Sequence, residues 1–187
     1  MTKIKEIVTL AAFYLQEEEI LGLPQMQDDF QGVPTDDEAL DKLLRCVNLV
    51  RSEIASDYYP LLTSENINCI DGRVDPVSLQ KRIIDVKRIT QNGKAVQFKV
   101  YPDTVKTAAG EVEIEYSYLP EDEGLDGDAG FSDKIAARVI AYGAAAEYCL
   151  ITGLFEEAVI WEKRFKDSLF VSQRKKSEIR VKPRKWL

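Results

Sequence analysis

The spacing of apolar residues changes twice along this chain, from helical to alternating and back to helical. Few folds accommodate that order. Ile4, Ile7, Val8, Ala11, Ala12 and Leu15 fall on one helical stripe, followed by the charged run Glu17–Glu19. A first helix is expected over residues 3–21, stopped by Gly22 and Pro24. A polar loop, Gln25–Pro34, follows. Thr35-Asp36-Asp37-Glu38 fits a capping box, in which the Thr35 hydroxyl accepts from the Glu38 N–H and the Glu38 carboxylate reaches back. Leu40, Leu43, Leu44, Val47, Val50 and Ile54 mark the second helix. Pro60 ends it near Tyr58-Tyr59, because a residue before proline avoids helical backbone.

From Leu61 to Pro120 the period is two. Asn92-Gly93 is the strongest hairpin signal, expected to join Ile83–Thr90 to Ala95–Tyr101. A second turn is expected at Ala108-Ala109-Gly110. Beyond it, Val112, Ile114, Tyr116 and Tyr118 alternate with Glu111, Glu113, Glu115 and Ser117, giving one buried and one wet face. Glu65–Cys69 and Arg73–Val77 are expected to pair around Asp71-Gly72. The result is a small antiparallel unit of about four to six strands. Glu121–Gly130 reads as a flexible, acidic, glycine-containing linker. Helix returns from Ser132 to about Ile151, where the small residues Gly143–Ala146 permit close approach of another helix. Gly153 is placed as its cap. A fourth helix, Leu154–Phe170, carries Phe155, Ala158, Trp161, Phe165 and Leu169 on one stripe, with Glu162 and Lys166 as an exposed i,i+4 pair.

This order predicts an α+β fold: a four-helix bundle built from N- and C-terminal helix pairs, with an inserted small antiparallel β domain and an extended C-terminal arm. The bundle takes residues 1–60 and 130–172, the β domain 61–120, the acidic linker 121–129 and the basic arm 173–187.

Charge separates the arm from the rest. Residues 1–172 are net acidic, whereas residues 173–187 hold seven basic side chains and one acidic. The acidic body repels nucleic acid and the arm attracts it, or an acidic protein surface. There is no histidine, which removes the commonest general base and every triad that uses it. Cys46, Cys69 and Cys149 form no CxxC pair, so buried free thiols are expected. No signal segment or membrane span is read from the sequence.

Two acidic groups are candidate cation sites. Glu111, Glu113 and Glu115 line one strand face, but a solvated face that protects a sheet edge explains them as well. Asp122, Asp126 and Gly127 occupy positions 1, 5 and 6 of a calcium-loop pattern. Gly124 at position 3 and Asp133 at position 12 break it where the bidentate glutamate belongs. No phosphate-binding glycine loop and no positioned nucleophile is found. No catalytic, cofactor-binding or metal residues are assigned, and the chain is read as a non-enzyme. The aromatics Tyr58, Tyr59, Trp161 and Phe165 are read as core.

The arm is the stretch singled out for binding. Arg174, Lys175, Lys176, Arg180, Lys182, Arg184 and Lys185 interleave with Ile179, Val181, Pro183, Trp186 and Leu187. Trp and Arg are favoured interface anchors. The alternation suits an extended segment laid in a groove or on a sheet edge. Nucleic acid is the rival partner, through phosphate contacts and stacking.

The run Ala141–Leu169, then Pro183-Arg184-Lys185-Trp186, with the strand Val112–Pro120, resembles small neck proteins of phages and prophages of Gram-positive bacteria. The layout is similar to the head–tail adaptor (connector) family of tailed bacteriophages, which includes the tail tubular protein of short-tailed phages. The resemblance covers most of the chain, but it has no catalytic signature, and the loop Gln25–Pro34 has no place in it. It implies a homo-oligomeric ring, commonly dodecameric, docked under the portal protein through the arm. The β domain would face a tail-side neck or tail protein, and DNA would pass through the channel without sequence-specific binding. It implies a virion component, assembled in the host cytoplasm, with no membrane partner. A head-closure or tail-completion role, or nucleic-acid binding through the arm, are the alternatives.

Overall fold

The computed structural model describes residues 2–17, 38–131 and 135–173. Its elements are α1 (Ile4–Leu15), α2 (Glu38–Glu53), β1 (Leu61–Cys69), β2 (Arg73–Val74), β3 (Ile83–Gln91), β4 (Lys94–Ala95), β5 (Lys99–Tyr101), β6 (Thr104–Lys106), β7 (Gly110–Tyr118), α3 (Ala137–Thr152) and α4 (Phe155–Gln173). The α+β order of two helices, strands and two helices is as the periodicity implies.

The helical stripes account for the first core. Ile4, Ile7, Val8, Ala11 and Ala12 of α1 meet Leu40, Leu43, Val47 and Val50 of α2 and Ile140, Ala141 and Ala144 of α3. α3 is the hub, packed by α1, α2 and α4. Gly143 permits this. A Cβ there would lie 2.7 Å from Val50 Cγ1 and 3.1 Å from Phe165 Cε2, so α2 and α4 both close on the bare glycine.

Helix boundaries differ from expectation in three places. α1 stops at Leu15, where Gln16 turns left-handed and its N–H and that of Glu17 bond back to the helix. The stripe ends at that point, and the acidic run that follows offers nothing to bury. α3 begins at Ala137, not Ser132, after an extended Ala136. α2 runs on through a π-helical turn, Ile54–Tyr58, and stops before Pro60 as expected. The capping residues Thr35–Asp37 and the loop Gln25–Pro34 lie outside the described residues.

The strands form two sheets. One has the order β1-β7-β3-β4 and the other β2-β6-β5. β7 is central, paired along its whole length with β1, from Leu61 opposite Tyr118 to Cys69 opposite Gly110. β3 flanks its other side, with register shifts at Ile83/Asp85 and Val86/Arg88. Val112, Ile114 and Tyr116 are buried, with Val86, Ile89, Val74 and Val105, in a second core separate from the helical one.

Asn92 and Gly93 both have positive φ, the requirement of the predicted tight hairpin turn. The hairpin is short, however. β4 pairs for two residues, and β5 joins the other sheet. Seven strands therefore stand where four to six were expected. The expected turn at Ala108–Gly110 is a connection from β6 into β7, and the actual turn is at Pro102-Asp103. β1 and β2 do not pair with each other. They go to β7 and β6 respectively.

Gly143→Ala should lower unfolding stability by about 1–3 kcal/mol, the usual cost of overpacking a filled core, as read by denaturant titration. Glu53 gives a pH-dependent prediction. Burial raises its carboxyl pKa, with Glu147 and Asp57 adding and Lys166 opposing. The folded state thus holds the proton better than the unfolded chain, and stability is lost as pH rises through the folded value. Glu53→Gln should raise the melting temperature at pH 7. Well below the unfolded glutamate pKa of about 4.3 it should make no difference.

Candidate functional site

Residues 121–129, expected to be a flexible linker, are a strap fixed from both sides. Arg51 lies on the apolar stripe of α2, one turn after Val47, and is only 2% exposed. Buried charge demands partners, and this guanidinium finds backbone carbonyls. Its Nε donates to Ala129 O at 3.0 Å, Nη1 to Glu121 O at 3.1 Å, and Nη2 to Asp128 O at 3.2 Å. Nη1 also donates to Asn48 Oδ1 at 2.6 Å. Asn48, one turn earlier and also buried, spans Glu123 with both ends of its amide, donating to the carbonyl at 3.0 Å and accepting from the N–H at 3.1 Å. Burial pushes the Arg51 pKa down, and the nearby carboxylates of Glu123 and Asp122 oppose the shift.

The N-terminus of α1 grips the other side of the strap. Ile4 N–H donates to Gly127 O, Lys5 N–H to Leu125 O, and Ala129 N–H to Thr2 O. Lys3 Nζ pairs with the Asp128 carboxylate at 3.1 Å. Strap carbonyls that a calcium loop would turn on an ion are thereby committed to protein donors. Asp122 and Asp126 face no ligand set, and Asp133 lies outside the described residues. Among the described residues, no group of three potential ligands is placed to hold a metal.

Glu111, Glu113 and Glu115 occupy the wet face of β7, but β7 is the central strand, so they protect no edge. They stand opposite Asn68, Asn66 and Ser64 of β1, and Glu115 and Glu113 face Arg88 and Thr90 of β3. The Thr90 hydroxyl donates to Glu113 at 3.0 Å. A solvated face with polar neighbours accounts for all three. On the opposite face, the buried Tyr116 hydroxyl donates to Glu65 and accepts from the Lys81 N–H. Burial, with Glu65 next in weight, pushes this phenol up to about 12.

The three cysteines are free and buried. Burial first, then Glu147, pushes the Cys46 thiol up to about 11. Phe165 and Leu169 are core, as predicted. Phe155 is not: it is 66% exposed. Trp161 is half-buried in a stack with Tyr14 and Tyr142, centroids 5.3 and 5.8 Å away, and Arg164 lies over its ring at 4.8 Å.

The arm residues Arg174 through Leu187 lie outside the described residues. The helix that leads to them is tied to the junction with the sheet, where the Tyr59 hydroxyl donates to Ser172 O at 3.2 Å. Beside it, Ala136, Arg138, Val139, Asp167, Ser168 and Val171 line a groove of about 410 Å³. Among the described residues, no helix is long and apolar enough to cross a membrane.

Arg51→Ala should cost on the order of 3 kcal/mol, because it leaves the buried Ala129 carbonyl and the part-buried carbonyls of Glu121 and Asp128 without their charged donor. Hydrogen exchange in residues 121–129 should rise more than in β7.

No protein-family model matches the chain, and no curated protein matches it in sequence.

Proposed function

We propose that this chain is a structural subunit of a bacteriophage neck: a head–tail adaptor that docks as a ring under the portal and joins it to the tail around the DNA channel. The observation that carries the reading is exposed apolar surface at both ends of the molecule. α2 and α3 run antiparallel, with Val50 against Gly143 and Cys46, one turn earlier, near Glu147, one turn later. The α3–α4 turn is therefore at the end of the helical part remote from the sheet. Leu150, Ile151, Leu154 and Phe155 are exposed around it. β1 leaves the helical part at Leu61 and runs nine residues to Cys69, about 30 Å at strand rise. Beyond it, Ile70 is exposed in the turn that follows.

Large exposed apolar side chains at two separate places suit a protein held between two partners. The sequence resemblance and the order of helices and strands agree with this. The acidic body would surround passing DNA without gripping it, since like charges repel. The subunit would be made in the host cytoplasm and end in the virion.

The basic arm would supply docking on the portal. A chain lacking residues 174–187 should fold with an unchanged melting temperature and fail to co-purify with the portal protein of the same genome, whereas the full chain binds. Equal retention of both forms would contradict the arm's role. Failure of the full chain, together with duplex binding that falls steeply with salt, would favour a nucleic-acid protein instead.

A further inference from the structure

β1 is an edge of the larger sheet. It pairs with β7 on one side, residue for residue over Leu61–Cys69, with no bulge. Among the described residues, nothing bonds to its backbone on the other side. In an antiparallel pair every second residue turns its N–H and C=O away from the partner, so β1 holds a row of backbone groups out to solvent. Proteins blunt such edges with short strands, bulges, charge or proline. The other three edges are blunted in this way. β2 and β4 have two residues each and β5 three, and they carry Arg73, Lys94 and Lys99. β1 has nine residues, no proline and no basic residue. Its one charge, Glu65, turns to the inner face, where it accepts from the Tyr116 hydroxyl and the Gln80 N–H.

The side chains around this edge select the kind of strand that fits it. On the wet face β1 presents the short Ser64, Asn66 and Asn68, which stand opposite Glu115, Glu113 and Glu111 of β7. Among the described residues, no lysine or arginine is ion-paired with these three glutamates. A strand added beside β1 lies two strand spacings from β7, roughly 10 Å. Lysine or arginine side chains on its wet face reach the glutamates over the short β1 side chains. On the inner face Thr63 and Ile67 are half-buried, and apolar residues of the added strand cover them.

We propose that the outer edge of β1 docks an extended segment of a partner protein, in which lysine or arginine alternates with apolar residues, as a further strand of the sheet. Backbone hydrogen bonds supply the affinity, and the glutamate column selects a cationic strand over others. Residues 179–182 of this chain's own arm alternate in the same way. However, Glu178 would set an acid on the glutamate face, and Pro183 has no N–H to give, so the arm matches four of the nine positions. The β1 strand of a second copy brings no cation at all. The edge is argued without the adaptor reading. Within that reading, the tail-side protein supplies the strand.

The probe is a blocked, fluorescently labelled peptide of alternating lysine and valine, as long as β1. By anisotropy it should bind the full chain, whereas a peptide of alternating glutamate and valine should not. Binding should slow amide hydrogen exchange in residues 61–69 and leave residues 94–101 unchanged. Methylating the backbone nitrogens of all the valines, or of all the lysines, keeps the charge and removes the donors of one peptide edge. One of these two peptides should lose binding and the other keep it. The variant E111Q/E113Q/E115Q, changed on a solvated face, should keep its melting temperature and bind the lysine peptide about tenfold more weakly. No binding, binding indifferent to both methylations, or protection outside residues 61–69 would each overturn the proposal. Binding that appears only once residues 174–187 are removed gives the edge to the chain's own arm. Protection of residues 61–69 that rises with protein concentration alone gives it to a second copy. Either result overturns a partner strand. None of these results decides the adaptor reading, which the portal experiment tests.

Discussion

The buried Arg51 guanidinium is the interaction on which the arrangement of this protein depends. It sits where an apolar side chain would otherwise complete the α2 stripe, and it replaces water with the carbonyls of residues 121, 128 and 129. The chain leaving the β sheet is thereby pinned to α2. From the other side α1 bonds the same strap through Leu125 O and Gly127 O. The first and third segments of the chain are thus joined at the point where the β insertion begins and ends. Carbonyl acceptors suit this task, since each presents a dipole to the guanidinium without a second buried charge.

The two cores follow from that joint. The helical one is organised around α3, whose Gly143 lets α2 and α4 approach together. The sheet core is organised around β7, which alternates buried apolar and exposed acidic residues between two partner strands. Each core is small, and each leaves apolar side chains in water at its remote end.

Much of this was legible in the residues. The two changes of period gave the element order, Asn92-Gly93 gave the hairpin turn, and Gly143–Ala146 gave the close helix packing. What failed had identifiable causes. The strap reads as a linker because acidic and glycine residues are all its sequence offers, and its order comes from Arg51 and Asn48 some 75 residues earlier. The position of Arg51 on the stripe with Val47 and Ile54 was the signal for it. Strand partners were misread because period two fixes which face is buried and says nothing of which strand lies alongside. β1 and β2 follow each other in sequence, yet nine-residue β7 offers β1 the longer ladder. Phe155 joined the predicted core stripe because a helical stripe does not reveal where the neighbouring helix ends.

The central claim is that the chain joins two partners in a phage neck. The most direct measurement is electron microscopy of the purified full chain mixed with the portal protein of the same genome. The account predicts a closed ring of subunits on one face of the portal, with the β sheets directed away from it. Portal particles with no added density would contradict it.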